Sequence, residues 1–222
     1  MNAQEFDKLI ASETSLIAYL DLSNMFHWQD TLKWQFSIYE VIKQLLAIKN
    51  LKEVRIYYGL NERELEKSTR FHQRVREAGA FLVTKPVKWI RKEITRDLFV
   101  SPFTLNRLDK NAHSKLDQFV AYLHEQNISI EEPKCNFDVE MALDMLDAMD
   151  KVSGALLLSG DSDLCEPLQR LRLKGRSVYV FGVRGKVAKE LWAVCSKYVD
   201  FGQWYVGPKK RKPLAKGERP RD

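Results

Sequence analysis

Apolar residues in this chain fall into two patterns, and the order in which those patterns alternate predicts its architecture. Short runs rich in apolar and β-branched residues occur at 16–20, 54–58, 80–84, 156–158, 177–181 and 198–201. Runs of this length predict strands, and the unbroken ones, such as Leu156-Leu157-Leu158, predict strands covered on both faces. Between them the apolar spacing becomes helical. Ile38, Val41, Ile42, Leu45 and Leu46 mark a helix over 36–50, and Leu164, Leu168 and Leu171 mark one that begins near Leu164. Pro167 falls in the first turn of that helix, where few amide donors are needed. Further helices are predicted over 64–78, stopped by Gly79, and over 137–149 and 187–194. Strands alternating with helices predict an α/β fold with a mostly parallel, doubly wound sheet.

The alternation falters between 85 and 133. Residues 85–92 are basic with Trp89 among them, 101–111 read as loop, a helix resumes over 115–126, and Pro133 breaks the chain again. The expected organisation is one α/β domain over 1–206, with 85–133 as a less regular insertion, followed by a basic tail over 207–222. That tail holds seven Lys and Arg against Glu218 and Asp222, so it carries +5 of the formal +6. A Pro-, Gly- and Lys-rich segment buries too little apolar area to order itself, so a disordered arm is expected, suited either to a polyanion or merely to solubility.

Composition excludes several classes. With 45% hydrophobic and 30% charged residues the chain reads as globular, and no apolar run approaches the ~20 residues of a membrane span. The first thirteen residues are polar, without the apolar core of a signal peptide, so a cytoplasmic protein of bacterial type is the expectation. Cys135, Cys165 and Cys195 are odd in number and lie in no C-x-x-C pair, and the four histidines show no metal-binding spacing. Neither a P-loop nor a dinucleotide fingerprint is present.

The candidate chemistry lies in aspartates at strand ends. In a doubly wound sheet the ligand crevice lies beyond the carboxyl ends of the strands, where strand order reverses. Asp21 ends the first strand, and Asp161 and Asp163 follow the fourth across Ser159-Gly160, with Gly160 read as the residue that lets the backbone turn. Structural readings stand beside this one: Asp21 would cap a helix after its loop, and Asp163 with Glu166 resembles a helix N-cap pair. On the 137–149 helix, Met141, Ala142, Met145, Leu146 and Met149 fall within about 80° of Asp138, which places Asp138 on the apolar face. Glu140, Asp144 and Asp147 read as solvated surface. Clustered carboxylates hold protons unless a divalent cation neutralises them, and all-oxygen ligands favour Mg²⁺ or Mn²⁺. Such an ion polarises a phosphoryl oxygen, and Asn24 would orient the loop or a water.

Three stretches together resemble the NYN domains, a family of PIN-like nucleases. Asp21-Leu22-Ser23-Asn24 resembles their D-x-x-N at the first strand. Lys134 through Asp144 is similar to their K-x-x-x-D-v-x-l-a-x-D element, and Ser159-Gly160-Asp161-Ser162-Asp163-Leu164, continuing through Pro167, Gly175 and Val178, to their S-G-D-x-D-F block. The resemblance is strongest to the LabA-type branch. It implies a three-layer α/β/α PIN-like fold and Mg²⁺- or Mn²⁺-dependent ribonuclease activity, with Asp21, Asn24, Asp138, Asp161 and Asp163 as catalytic or metal-holding residues. It also points to Asp144, which the helix count places on the outside. The departures are Leu164 for Phe, the Cys135-Asn136-Phe137 spacer and the long 85–133 segment.

RNA, single-stranded so that a scissile phosphate can reach recessed acids, is the expected partner, with no membrane. Candidate contacts are Lys88, Trp89, Arg91, Lys92 and Lys134, then Arg184 and Lys186, and in the tail Lys209, Lys210, Arg211 and Lys212. For Trp89 and Ile90, inward packing is the competing expectation. Two other functions stay open: a non-catalytic RNA-binding module and a small-molecule phosphoester hydrolase. A haloacid-dehalogenase reading is disfavoured, because D-L-S-N lacks the second acid of D-x-D-x-T.

Overall fold

The computed structural model describes residues 1–211. In chain order the helices are α1 (Ala3–Leu9), α2 (Leu22–Leu32), α3 (Ile38–Leu46), α4 (Leu65–Glu77), α5 (Pro102–Leu105), α6 (Lys110–Glu125), α7 (Asp138–Ala148), α8 (Cys165–Leu173), α9 (Lys189–Val194) and α10 (Phe201–Trp204). The strands are β1 (Leu16–Asp21), β2 (Trp34–Gln35), β3 (Leu51–Tyr57), β4 (Phe81–Val83), β5 (Lys88–Lys92), β6 (Ile130–Lys134), β7 (Gly154–Leu158), β8 (Ser177–Gly182), β9 (Lys197–Asp200) and β10 (Lys210–Arg211). The chain divides into two compact units, Met1–Pro86 with Asn136 onward, and Val87–Cys135.

The larger unit is built on a six-stranded sheet in the order β4-β3-β1-β7-β8-β9, parallel at every pairing. The chain therefore works outward from β1 in one direction, returns, and works outward from β7 in the other. Strand order reverses between β1 and β7, which makes that gap the switch point. Alternation assigns the faces. Leu16, Ala18, Leu20, Leu156, Leu158 and Phe181 pack with Phe6, Met25, Trp28, Val41, Leu45 and Trp204 in one core, which α1, α2, α3 and α10 cover. Tyr19, Tyr57, Leu157 and Val180 point the other way and are buried, as are Met141, Met145, Leu168 and Leu171 of α7 and α8. The result is an α/β fold of three layers, a parallel sheet between helices. Gly79, at φ +94°, ends the α4 segment as its position in the sequence predicts.

Several elements differ from the sequence expectation. A helix, α2, starts directly at Leu22 with Asp21 as its cap, so no loop separates them. Its stripe of Leu22, Met25 and Trp28 is fully buried and was there to be read. Residues 102–105, expected as loop, form α5, capped by the Ser101 side chain. In the smaller unit β5 and β6 pair antiparallel, a ladder that the basic sequence of 88–92 does not advertise. Arg96 with Asp117, and His124 with the Ile94 carbonyl at 3.0 Å, tie α6 to the segment after β5. The short α1 and α10 escape periodicity altogether, because they exist by burying Phe6, Phe201 and Trp204 rather than by propensity.

The start of the tail is fixed to the larger unit. Lys210 and Arg211 pair with Gln35 and Trp34, Lys209 Nζ donates to the Gly202 carbonyl at 3.2 Å, and the same ammonium lies 4.9 Å over the Trp34 ring. Lys212 and the rest of the arm expected to be disordered lie outside the described residues. Among the described residues, no helix is long and apolar enough to cross a membrane.

Candidate active site

The switch point is made by two turns, one leaving β1 and one leaving β7. Leu20 pairs with Leu158, so Asp21 on one strand and Ser159 on the other emerge side by side. Ser159 is a fully buried polar residue, and its hydroxyl connects the turns by donating to Asp21 Oδ2 at 3.2 Å and accepting from the Asp161 amide at 3.2 Å. Asn24 is a second connection. Its Oδ1 accepts from the Gly160 amide of the other turn and from the Trp28 indole, each at 3.0 Å. With its oxygen engaged twice, Asn24 ties the two turns together.

The structural reading holds for Asp21 alongside the chemical one, and in the second turn it passes from Asp163 to Asp161. Asp21 caps α2, its Oδ1 accepting from the Asn24 amide at 3.1 Å. In the second turn the cap is Asp161 and not Asp163: Asp161 Oδ1 accepts from the Asp163 amide at 3.1 Å and starts a 3-10 turn over Ser162–Leu164. Glu166, expected to pair with Asp163, instead accepts from Arg170 one turn along at 2.9 Å. Asp138 opens α7, its amide donating to Asn136 Oδ1 at 2.7 Å.

Electrostatics shows that these acids sense one another. The Asp21 carboxyl is raised above the usual aspartate range, first by burial and then by the charges of Asp138 and Asp161, against the hydrogen bonds from Asn24 and Ser159 that lower it. Asp138 is likewise raised by burial, then by Asp161, Asp163 and Glu140, with Asn136 opposing. The structure thus brings Asp21, Asp138, Asp161 and Asp163 to one electrostatic neighbourhood, with Asn24 joining the two turns.

Asp144 has other partners. Tyr57 Oη donates to its Oδ2 at 2.5 Å and Arg55 Nη1 stands 3.2 Å from its Oδ1. Glu140 is paired with Lys85. The solvated surface expected at 140 and 144 is therefore two ion pairs, while Asp147 is exposed as expected. Partners on neighbouring segments, invisible to a helix count, make the difference.

The donor chemistry of the acid group fits a hard divalent cation: the side chains supply only carboxylate oxygens, and their mutual repulsion is the kind a cation relieves. They are gathered but not closed, since among the described residues no three His, Cys, Asp or Glu side chains stand together as an ion cage. The glycine between Ser159 and Asp161 has a purpose that the sequence did not disclose. Gly160 is absent from the positive-φ glycines, and a Cβ there would lie 1.8 Å from the Lys186 carbonyl oxygen. Close approach of the 183–188 loop, rather than a turn, requires glycine.

The predicted RNA contacts divide among three places. Arg184 and Lys186 are exposed on that same loop. Lys88, Trp89, Arg91, Lys92 and Lys134 belong to the smaller unit. There Lys92 is paired with Glu132 at 2.7 Å, Trp89 is half-buried and Ile90 exposed. Lys88 lies directly opposite Lys134 on the ladder, a like-charge pairing that costs stability. The cations at 209–211 are on the pinned start of the tail.

Comparison with known proteins bears on this site. Residues 103–202 match the family model of the NYN domain, a span that takes in Asp138, Asp161 and Asp163 and begins after Asp21 and Asn24. The chain is 20% identical over 185 residues to the low amplitude and bright protein LabA of Synechococcus elongatus, covering 83% of this chain and 82% of that one. It is similar in fold to a protein of unknown function from Vibrio parahaemolyticus, with a TM-score of 0.57 at 18% identity, covering 86% of this chain and 96% of the other.

Proposed function

We propose that this chain is a metal-dependent ribonuclease that hydrolyses phosphodiester bonds at the β1–β7 switch point, a reading supported by the match of residues 103–202 to the NYN domain and by the likeness of its motifs to those of PIN-like nucleases. The observation that carries the proposal is the crowding of Asp21 and Asp138 with Asp161 at the edge where such sheets bind ligands: burial, and then neighbouring acids with Asp161 among them, raise the carboxyls of Asp21 and Asp138. Asp21, Asp138 and Asp161, with Asp163, would hold the ion. Mg²⁺ or Mn²⁺ bound there neutralises the acids and polarises a phosphoryl oxygen of the substrate. The rest falls to the chain itself. Ser159 and Asn24 fix the two turns at a set separation, and the first turn of α7 presents Asp138 to the same place. A binding module gains nothing from negative charge facing a polyanion, so the acid group favours turnover over binding alone. Lys88 opposite Lys134 and the exposed Arg184 and Lys186 favour RNA over a small ester, because phosphates relieve such cations.

Asp161→Asn tests this. The substitution preserves size and capping ability but removes a charge, so cleavage of single-stranded RNA should fall by about a thousandfold or more while binding persists or tightens. EDTA should abolish cleavage, with Mg²⁺ or Mn²⁺ restoring it better than Zn²⁺. Undiminished cleavage by Asp161→Asn would refute the mechanism. Wild-type protein that binds RNA and never cuts it with either ion would make the domain a binding module, and turnover of a phosphate ester without RNA cleavage would make it a small-molecule hydrolase.

A further inference from the structure

The segment from β8 through α9 to β9 carries cations and an exposed indole that the acid site leaves unexplained. Trp192 on α9 is 47% exposed, an unusual position for the most costly aromatic to leave in water. It stacks on Tyr198 with centroids 3.9 Å apart and planes 24° from parallel. Tyr198 is held in turn by its hydroxyl, which donates to the Gly182 carbonyl at 2.9 Å. One face of the indole is thus backed by a fixed ring.

The loop leading into α9 is fixed as well. Its Lys186 amide donates to the Val183 carbonyl at 2.9 Å, and the Ala188 amide donates to the Gly160 carbonyl at 3.0 Å. The Lys186 carbonyl packs on Gly160 and the Val187 side chain on Gly182, each so close that a Cβ on the glycine would overlap it. A loop bearing exposed Arg184 and Lys186 therefore rests on the Gly160–Asp161 turn and continues into the helix bearing Trp192. Arg184 also acts on Tyr198: burial and Asp200 raise that phenol, and the guanidinium lowers it, as a cation beside the stack must. Within residues 183–200, Glu190 and Asp200 are the acids, against Arg184, Lys186, Lys189 and Lys197.

We propose that Trp192, backed by Tyr198, is a stacking platform for one base of a single-stranded RNA, with Arg184 and Lys186 contacting the phosphates between that base and the acid turns. An aromatic face beside a cationic track is the combination that holds single strands with little sequence preference. The platform rests on the ribonuclease reading and supplies it with a substrate class: unpaired strands whose bases are free to stack.

The test compares binding of short oligouridine with an abasic strand of equal length, in EDTA so that nothing is cut, for wild type, Trp192→Ala, Trp192→Phe and an Arg184→Ser/Lys186→Ser double variant. Trp192→Ala should weaken oligouridine about tenfold while changing abasic binding by less than about twofold, and Trp192→Phe should retain most of the affinity. The double variant should weaken both strands and reduce the slope of log K against log salt by about 1.4. Oligouridine binding that survives Trp192→Ala, or equal losses on both strands, would overturn the platform and leave the RNA reading standing. Wild-type protein without affinity for either strand would overturn the platform, and the ribonuclease reading is decided separately by cleavage with Mg²⁺ or Mn²⁺.

Discussion

Helix α7 carries two aspartates into opposite circumstances. Asp138, in its first turn, is half-buried beside other acids, and burial and then their charges raise its proton affinity. Asp144, further along, is met by a tyrosine hydroxyl and a guanidinium. The partners respond accordingly. Tyr57 is pushed far above the ordinary phenol range by burial and by its bond to Asp144. Burial alone would lower Arg55, but Glu53 and Asp144 hold it firmly charged. A carboxylate whose neighbours complete it contributes to the fold. One whose neighbours repel it weakens the fold until something positive arrives, which is the arrangement found at sites of chemistry. The two aspartates thus separate a structural role from the proposed functional one on a single helix.

The strongest attempt to break this comparison exchanges the two. Asp138→Asn should cut RNA cleavage by about a thousandfold with the fold intact, whereas Asp144→Ala should leave cleavage per folded molecule within about twofold of wild type. Comparable losses from both would mean that Asp144 serves the acid group after all. The stability cost should fall the other way. Asp144→Ala strands a buried phenol and leaves a half-buried guanidinium with Glu53 alone, so denaturant unfolding should show a loss of about 1–3 kcal/mol. No such loss is expected for Asp138→Asn, which relieves repulsion.

The subtlest effect is in pH. Asp21 has a folded-state pKa above its ordinary value of 3.8. Between the ordinary value and the raised one, the folded protein binds more protons than the unfolded chain, so this group's contribution lowers stability as pH rises through that window, and the full penalty stands above it. Asp21→Asn removes the penalty and keeps the cap. Without metal, the variant should melt above wild type at neutral pH, and the difference should shrink as pH falls from the raised pKa towards about 4 and be gone below it. Mn²⁺ should raise the wild-type midpoint and close the gap. A variant that melts below wild type throughout would show that Asp21 serves the fold more than the site.

What the sequence determined by itself was whatever local periodicity records. Continuous burial wrote β1 and β7 as apolar runs, helical spacing placed Asp138 on the covered face of α7, and the acids at strand ends were visible once the strands were. The same record holds α2, in the spacing of Leu22, Met25 and Trp28. Periodicity states which face of a segment is buried; it does not state what covers it. Only the tertiary structure could join Tyr57 to Asp144, 87 residues away, or set the Ser159 hydroxyl between Asp21 and Asp161. Likewise it alone shows that glycine stands at 160 because the Lys186 carbonyl occupies the space a side chain would need. Those pairings follow from strand order and loop packing, which depend on the whole chain closing on itself and leave no mark at short range.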